Sequence, residues 1–281
     1  MENQFHNLNK NQGDNMLNEV TNRSFANGKV YMLRTEDGFP LETTDTFLPF
    51  YTKNCINEHT NKLVSGEVGN REERWMVGVS CMSGCPVHCE FCATGQLKGW
   101  RSLSAQEIYE QVQFILDKNT DVDISKTKEF KINYTRMGEP FLNIENVKAA
   151  MKMVNKHPRL KGIKVHHYIS TIGIKGSDFS WIKDNITLQI SLHSLDEERR
   201  HKLIPIKGLM SIEELGKIRT QSNLKTTINM TLVDTEDFDI NKLKRYFDPE
   251  YFFIKLSPIN ENEVSRANKM GKGIIKQDNY I

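Results

Sequence analysis

Four of the chain's five cysteines, Cys81, Cys85, Cys89 and Cys92, fall within twelve residues, and only Cys55 stands apart. Thiols this close in a chain with no secretion signal are metal ligands before they are disulfide partners, and Cys55 reads as an inert thiol. The spacing Cys85-x-x-x-Cys89-x-x-Cys92 puts three thiolates on one short loop. A tripod of that kind can hold three irons of a [4Fe-4S] cube and leave the fourth iron without a protein ligand, open to a small molecule. Tetrahedral zinc is the alternative, because Cys81, Cys85, His88, Cys89 and Cys92 offer more than the four N/S ligands it needs. Zinc ligands usually come as two separated pairs that clamp two elements together, whereas these all lie on one loop.

An open iron implies chemistry as well as structure. The amino and carboxylate groups of S-adenosylmethionine can chelate such an iron. One electron from the cluster into the sulfonium then cleaves a carbon–sulfur bond and yields a 5′-deoxyadenosyl radical. Phe91, just before the last cysteine, is placed to shield the cluster.

The elements that must position this loop are readable from periodicity. Residues 1–28 are Asn-rich, lack a periodic apolar pattern and are expected to form a mobile tail. From Lys29, KVYMLRTEDGFPLETTDTFLPF alternates apolar and polar residues around the turn dipeptide Asp37-Gly38, which predicts a small antiparallel β extension over residues 29–72. Trp75 to Val79 reads as a buried strand running into the cysteine loop, and Ser104-Ala-Gln-Glu107 as a capping box opening a helix to about Lys118. Further strands are predicted over Phe130 to Tyr134, Lys164 to Ile169, Thr187 to Leu192, Thr227 to Leu232 and Tyr251 to Leu256. Helices are predicted over Asn143 to Lys156 and Ser211 to Gln221. Six strands alternating with helices give a parallel α/β core over residues 73–281, either an open doubly wound sheet or a full or partial barrel. In both, ligands sit at the carboxyl ends of strands, and the polar groups after these strands collect on that one rim.

Composition bounds the rest. Hydrophobic residues at 38% and charged residues at 26% allow a sizeable core and exclude wholesale disorder. No apolar run approaches a membrane span, so a cytoplasmic location without membrane attachment is expected. Lys and Arg number 38 against 36 Asp and Glu, a net charge of +2, far from the basic excess that accompanies phosphate-backbone binding.

VGVSCMSGCPVHCEFCATG resembles the core motif of the radical-SAM superfamily, and more narrowly that of the RlmN RNA adenine methyltransferases and the related resistance methyltransferase Cfr. The narrower resemblance rests on Cys92-Ala-Thr-Gly-Gln96 with Arg101 and Leu103, Met137-Gly-Glu-Pro140 with Leu142-Asn143, Ser170-Thr171, Ile190-Ser-Leu-His193, Glu197 to Pro205, and Pro258 with Asn260. It spans about residues 30–265. The resemblance implies a partial parallel (β/α)6 barrel in which Cys85, Cys89 and Cys92 hold the cluster. Gly138 and Glu139 would meet the amino group of S-adenosylmethionine, and Ser170, Ser191, Leu192, His193 and Asn260 its ribose, carboxylate or adenine. Glu42 resembles the family's proton acceptor. An electron donor such as flavodoxin or ferredoxin is implied.

Two departures bear on function. The family carries one methyl-transfer cysteine seven residues before the first cluster cysteine and a second in a C-terminal segment. Position 78 here is Gly, and no cysteine follows Cys92. A sulfur nucleophile is required to accept a methyl from one S-adenosylmethionine and later release the covalent adduct, so methyl transfer by that route is not expected. The residues before the hairpin are also too few for the family's N-terminal helical domain. A small substrate, such as a nucleotide, nucleoside or peptide, attacked directly by the radical is therefore expected ahead of RNA. The alternatives are an RNA-modifying enzyme with the same cofactors and a non-catalytic metal-binding protein. His166, His167 and His88 read as packing histidines, and the run Glu197 to Lys202 as a solvated helix face.

Overall fold

Ala26-Asn27 and Asp37-Gly38 reverse the chain twice before it enters its core. The computed structural model describes residues 16–49, 56–57, 62–63, 69–233, 237–257, 259 and 262–270, so Cys55, Pro258 and Asn260 lie outside the described residues. Strands β1 (Leu17–Phe25), β2 (Gly28–Thr35) and β3 (Pro40–Leu48) form an antiparallel meander. Gly38 takes a φ of +88°, the left-handed region glycine enters without penalty, and the β2–β3 register runs from Gly28 opposite Thr46 to Arg34 opposite Pro40. The predicted hairpin is present.

Part of the expected tail is not a tail. Leu17–Phe25 pairs along the whole of β2, although every side chain of the strand after Leu17 is exposed. An edge strand held by backbone pairing and one ion pair, Glu19 with Lys118 at 2.7 Å, has no buried face, so it carries no alternation to read.

From β3 the sheet continues into the core. Strand β4 (Arg74–Val79) joins β3 antiparallel, with Thr44 opposite Gly78. Strands β5 (Glu129–Tyr134), β6 (Val165–Thr171), β7 (Ile186–Ser191), β8 (Thr226–Thr231) and β9 (Phe252–Ser257) then follow in parallel. Nine strands thus lie in chain order in one open sheet, and the last six are a partial parallel (β/α)6 barrel with a β extension on its first edge. Each of the six lies within two residues of its predicted position.

Helices α1 (Ala105–Lys118) and α2 (Ile144–Val154) carry the β4–β5 and β5–β6 crossovers. Short helices α3 (Glu197–Leu203) and α4 (Ile212–Gly216) lie between β7 and β8, and α5 (Ile240–Tyr246) between β8 and β9. The strict strand–helix alternation fails between β6 and β7, where the described residues contain no α-helix. The helix predicted through Gln221 stops at Gly216, where an added Cβ would sit 2.2 Å from the Tyr246 carbonyl oxygen.

Helix α1 starts as its sequence dictates. Ser104 Oγ accepts the Glu107 amide at 3.2 Å and Glu107 accepts the Ser104 amide at 2.7 Å, which satisfies two donors that the first turn leaves free. Ile108, Val112, Ile115 and Leu116 face the sheet. Gln111, buried among them, takes the Ser80 amide on its carbonyl at 2.8 Å and donates to the Ser80 carbonyl at 2.9 Å. That clamp fixes the chain one residue before Cys81, so the position of the cysteine loop is set from the helix layer.

The extension is tied to the core through one buried carboxylate. Asp45 of β3 accepts from Trp75 Nε1 at 2.8 Å, from Arg71 Nη2 at 2.6 Å and from Asn119 Nδ2 at 3.1 Å. Removing it strands three donors. We expect Asp45→Ala to lower stability by about 3 to 5 kcal/mol, read as a lower urea midpoint at unchanged slope. An unshifted midpoint would mean that sheet pairing and the remaining side-chain bonds, such as Thr43 Oγ1 to the Gly78 carbonyl, join extension and core without it.

Candidate active site

The carboxyl ends of β4, β5, β6 and β7 open onto a cavity of about 200 Å³. Its lining includes Cys85, Cys89 and Cys92 on one side and Gly138, Glu139, Ser170, Ser191 and His193 on the other. The rim predicted from the strand order is therefore a single concave site.

The cysteine loop is held by its backbone. Glu90 donates to the Leu203 carbonyl at 3.0 Å, Cys92 to that of Cys89 at 3.0 Å, and the His88 ring bonds the Gly95 carbonyl at 2.6 Å. Helix α6 (Glu263–Ala267) braces it from outside through Asn262, its N-cap, which donates to the Phe91 carbonyl at 3.0 Å. The sequence offered no signal for Asn262 beyond its capping position.

Burial pushes the Cys85 thiol up to about 11, with the neighbouring Cys92 and Glu139 charges adding to it. Cys89 is pushed upward as well, first by burial and then by Cys92 and Cys85. Buried thiols raised in this way, beside a third, ionise readily only when a cation compensates them.

The opposite wall depends on two adjacent residues. Gly138 has a φ of +92°, and a Cβ there would lie 2.5 Å from Met82 Cβ, so both conformation and space require glycine. Glu139 is buried. Its Oε1 accepts the Phe141 amide and its Oε2 the Ile172 amide, each at 3.0 Å. Burial raises its carboxyl to about 7 against the pull of those hydrogen bonds and of Thr171. Ser170 Oγ lies 3.3 Å from Ser191 Oγ. His193 has a φ of +64°, its ring meets Phe91 edge-on at 4.8 Å between centroids, and its Nδ1 accepts the Thr231 amide at 3.1 Å. Burial lowers its pKa to about 4, so the ring is neutral and its proton sits on Nε2.

Other candidates fall outside the lining. Leu192 is packed in the core, and its amide donates to the Asn229 carbonyl at 2.9 Å. Glu42 lies on β3 and forms an ion pair with Arg136, which does line the cavity. Cys81 is buried in the core rather than in the cavity wall. His167 is buried between Tyr134 and Asn155, with ring nitrogens 3.2 and 3.0 Å from their polar atoms, and His166 bonds Thr187 Oγ1 at 3.0 Å, as packing histidines should.

The expectation of a solvated face for Glu197 to Lys202 is corrected at Arg200. Its side chain is fully buried and donates to the carbonyl oxygens of Ile172 and Met210, at 2.6 and 2.5 Å. Ile172 is also the residue whose amide holds Glu139, so a charged side chain braces the cavity wall from behind. A charge run read by composition cannot reveal which member turns inward.

Among the described residues, no three His, Cys, Asp or Glu side chains converge as ligands of a single metal ion. A single tetrahedral ion needs that convergence, whereas a cube that takes one thiolate per iron does not.

Residues 79–246 match the radical SAM superfamily, and the chain belongs to that superfamily. It resembles the dual-specificity RNA methyltransferase RlmN of Nitratiruptor sp., 35% identical over 191 residues that cover 66% of this chain and 50% of that one. It also resembles a probable RlmN of Pseudothermotoga lettingae, 34% identical over 192 residues, 65% of this chain and 54% of the relative. The chain thus spans about half the length of these relatives. A crystal structure of a radical SAM methyltransferase from Sphaerobacter thermophilus has the same fold, with a TM-score of 0.62 at 23% identity over 91% of this chain and 73% of that one. The superfamily takes a [4Fe-4S] cluster and S-adenosylmethionine as its cofactors. The tripod of cavity-facing thiols and the carboxylate opposite it fit that pair. No helix among the described residues is long and apolar enough to cross a membrane.

Two outcomes follow from this packing. Arg200→Met leaves two buried carbonyls without donors and is expected to lower stability by about 2 kcal/mol in urea melts. Burial holds the His167 imidazole at about 3, well below its ordinary value of about 6.5. Its contribution is complete above pH 6.5. Below that value the unfolded chain takes up the proton first, and stability is lost down to the folded value. Between pH 7 and pH 5 the loss is about 2 kcal/mol, and His167→Gln should flatten that slope.

Proposed function

We propose that this cavity binds the cluster and S-adenosylmethionine and that the enzyme attacks a small substrate, such as a nucleotide, nucleoside or peptide, directly, without a covalent thiol adduct. Cys85, Cys89 and Cys92 hold the cluster. Gly138 and Glu139 meet the amino group of S-adenosylmethionine, and Ser170, Ser191, the Leu192 backbone, His193 and Asn260 meet its ribose, carboxylate and adenine. When bound, the pair supplies a 5′-deoxyadenosyl radical by one-electron cleavage of the sulfonium.

The chain's own part is positioning. Two backbone amides fix Glu139, and its buried carboxylate favours a cationic partner such as an ammonium. The neutral His193, tied through Nδ1, keeps Nε2–H as a donor. Phe91, packed on that ring, helps exclude water.

The observation that carries the direct-attack reading is at Gly78. A Cβ there would lie 2.4 Å from Thr44 Oγ1 and 3.0 Å from Arg136 Cδ, so the place of the family's methyl-transfer thiol is filled by other side chains. Cys81 offers no substitute, since its thiol is in the core. The net charge of +2 supports a small substrate. A second reading, RNA modification by another chemistry, is favoured by the relatives named as RNA methyltransferases.

Anaerobically reconstituted protein given reductant and S-adenosylmethionine is expected to release 5′-deoxyadenosine. Alanine at Cys85, Cys89 or Cys92 should abolish both iron content and release. Glu139→Gln should keep the iron and weaken S-adenosylmethionine binding by about tenfold, the loss of a charge-assisted pair. Methylation of RNA, or RNA affinity that falls steeply with salt, would overturn the small-substrate reading in favour of the second.

A further inference from the structure

The side chain that fills the space beside Gly78 is itself a candidate for recognition. Arg136 leaves β5 where the strand ends, and its amide donates to the Val79 carbonyl at 3.2 Å, which carries the β4–β5 pairing into the cavity wall. Its side chain then turns back over β4. A Cβ at position 78 would meet Arg136 Cδ at 3.0 Å and Cγ at 3.3 Å, a closeness only glycine allows. The guanidinium reaches across to β3, where its Nη2 pairs with Glu42 Oε1.

That pair does not exhaust it. A guanidinium has five N–H donors, and among the described residues Glu42 is the sole acceptor its side chain meets. Its side chain keeps 36% of its surface exposed, and the residue lines the same cavity as the cluster cysteines. A structural counter-ion for Glu42 would need neither the exposure nor the cavity.

Gly138 and Glu139 follow Arg136 closely in the chain, but its side chain turns the other way, and position separates it from the cofactor contacts proposed at Ser170 and Ser191. It lies over the β3–β4 edge of the cavity, whereas Ser170 and Ser191 lie on β6 and β7. Successive strands are about 4.8 Å apart, so the two edges are separated by two or more strand spacings.

We propose that Arg136 is the anchor for a carboxylate or phosphate group on the substrate, with Glu42 as the tether that holds the guanidinium until that anion displaces it. The planar fork of Arg matches both anions in bidentate geometry. This rests on the proposed function and narrows its substrate class to small anionic molecules. A carboxylate released from Arg136 in this way could also take a proton from the bound substrate, the role implied for Glu42 by family resemblance.

The test uses reconstituted holoenzyme saturated with S-adenosylmethionine. Its probes are inorganic phosphate and acetate, followed by line broadening of their own resonances. The expected result is that Arg136→Met weakens binding of at least one anion by about fivefold, Arg136→Lys retains part of it, and Glu42→Gln strengthens it by a similar factor. S-adenosylmethionine affinity should stay within about twofold of wild type in all three. If Arg136→Met fails to fold, the gain in Glu42→Gln carries the test. The proposal is overturned if the wild type binds neither anion, or if anion affinity is unchanged in Arg136→Met and in Glu42→Gln. It is also overturned if S-adenosylmethionine affinity falls about tenfold in Arg136→Met, because the guanidinium would then hold the cofactor's carboxylate. Absence of 5′-deoxyadenosine release with anion binding intact would count against the proposed function alone.

Discussion

Three thiols are brought together in a partly buried cavity, and at Cys85 and Cys89 that burial opposes ionisation. Burial and mutual repulsion push Cys85 to about 11 and drive Cys89 upward, so the tripod is stable as thiolates only when cationic metal compensates it. Every surrounding feature can be understood as holding that unfavourable arrangement in place. Gln111 clamps the backbone before the loop, Leu203 accepts from its middle, and Asn262 grips it from α6. The loop is tied at its carbonyls and amides, which leaves its sulfurs without structural duty.

The facing wall uses the opposite device. Glu139 is a buried acid whose geometry is set by backbone amides, and one of those amides belongs to a residue whose carbonyl is pinned by Arg200. Arg200 has no carboxylate among its hydrogen-bond partners, so its charge is spread over two peptide groups and raises the potential behind the cavity. The same charge adds to burial in keeping His193 neutral. An acid raised to about 7 is drawn fully to the carboxylate by a cationic partner, while an imidazole held near 4 stays neutral and keeps one N–H to donate.

Much of this was legible in the residues, for specific reasons. The cysteine spacing, the Asp37-Gly38 turn, the Ser104–Glu107 capping box and six β-rich segments each have a local signature, and their order alone brings Cys85, Glu139, Ser170 and Ser191 to one rim. What escaped had no local signature. Leu17–Phe25 pairs through its backbone with both faces exposed, so polarity carries no period. Arg200 looks like its charged neighbours until the fold decides which side of α3 faces inward. Gly216, the last residue of its helix, admits the carbonyl of Tyr246, thirty residues on, where a Cβ would clash. Such approaches are tertiary facts that no window of sequence contains.

Gly78 and Arg136 belong together in the same sense. The sequence shows the loss of a thiol at position 78, but not what stands in its place. With Gly78 on β4 opposite Thr44 on β3, the vacated side-chain volume lies where the last antiparallel strand of the extension meets the first parallel strand of the core. Arg136 enters that volume from β5 and finds Glu42 two residues before Thr44, on the same face of β3. A nucleophile that would form bonds to carbon has thereby been exchanged for a cation that can only hold charge. That exchange moves the burden at this edge of the cavity from covalent chemistry to recognition, while the tripod and the Glu139 wall on its other sides are left intact.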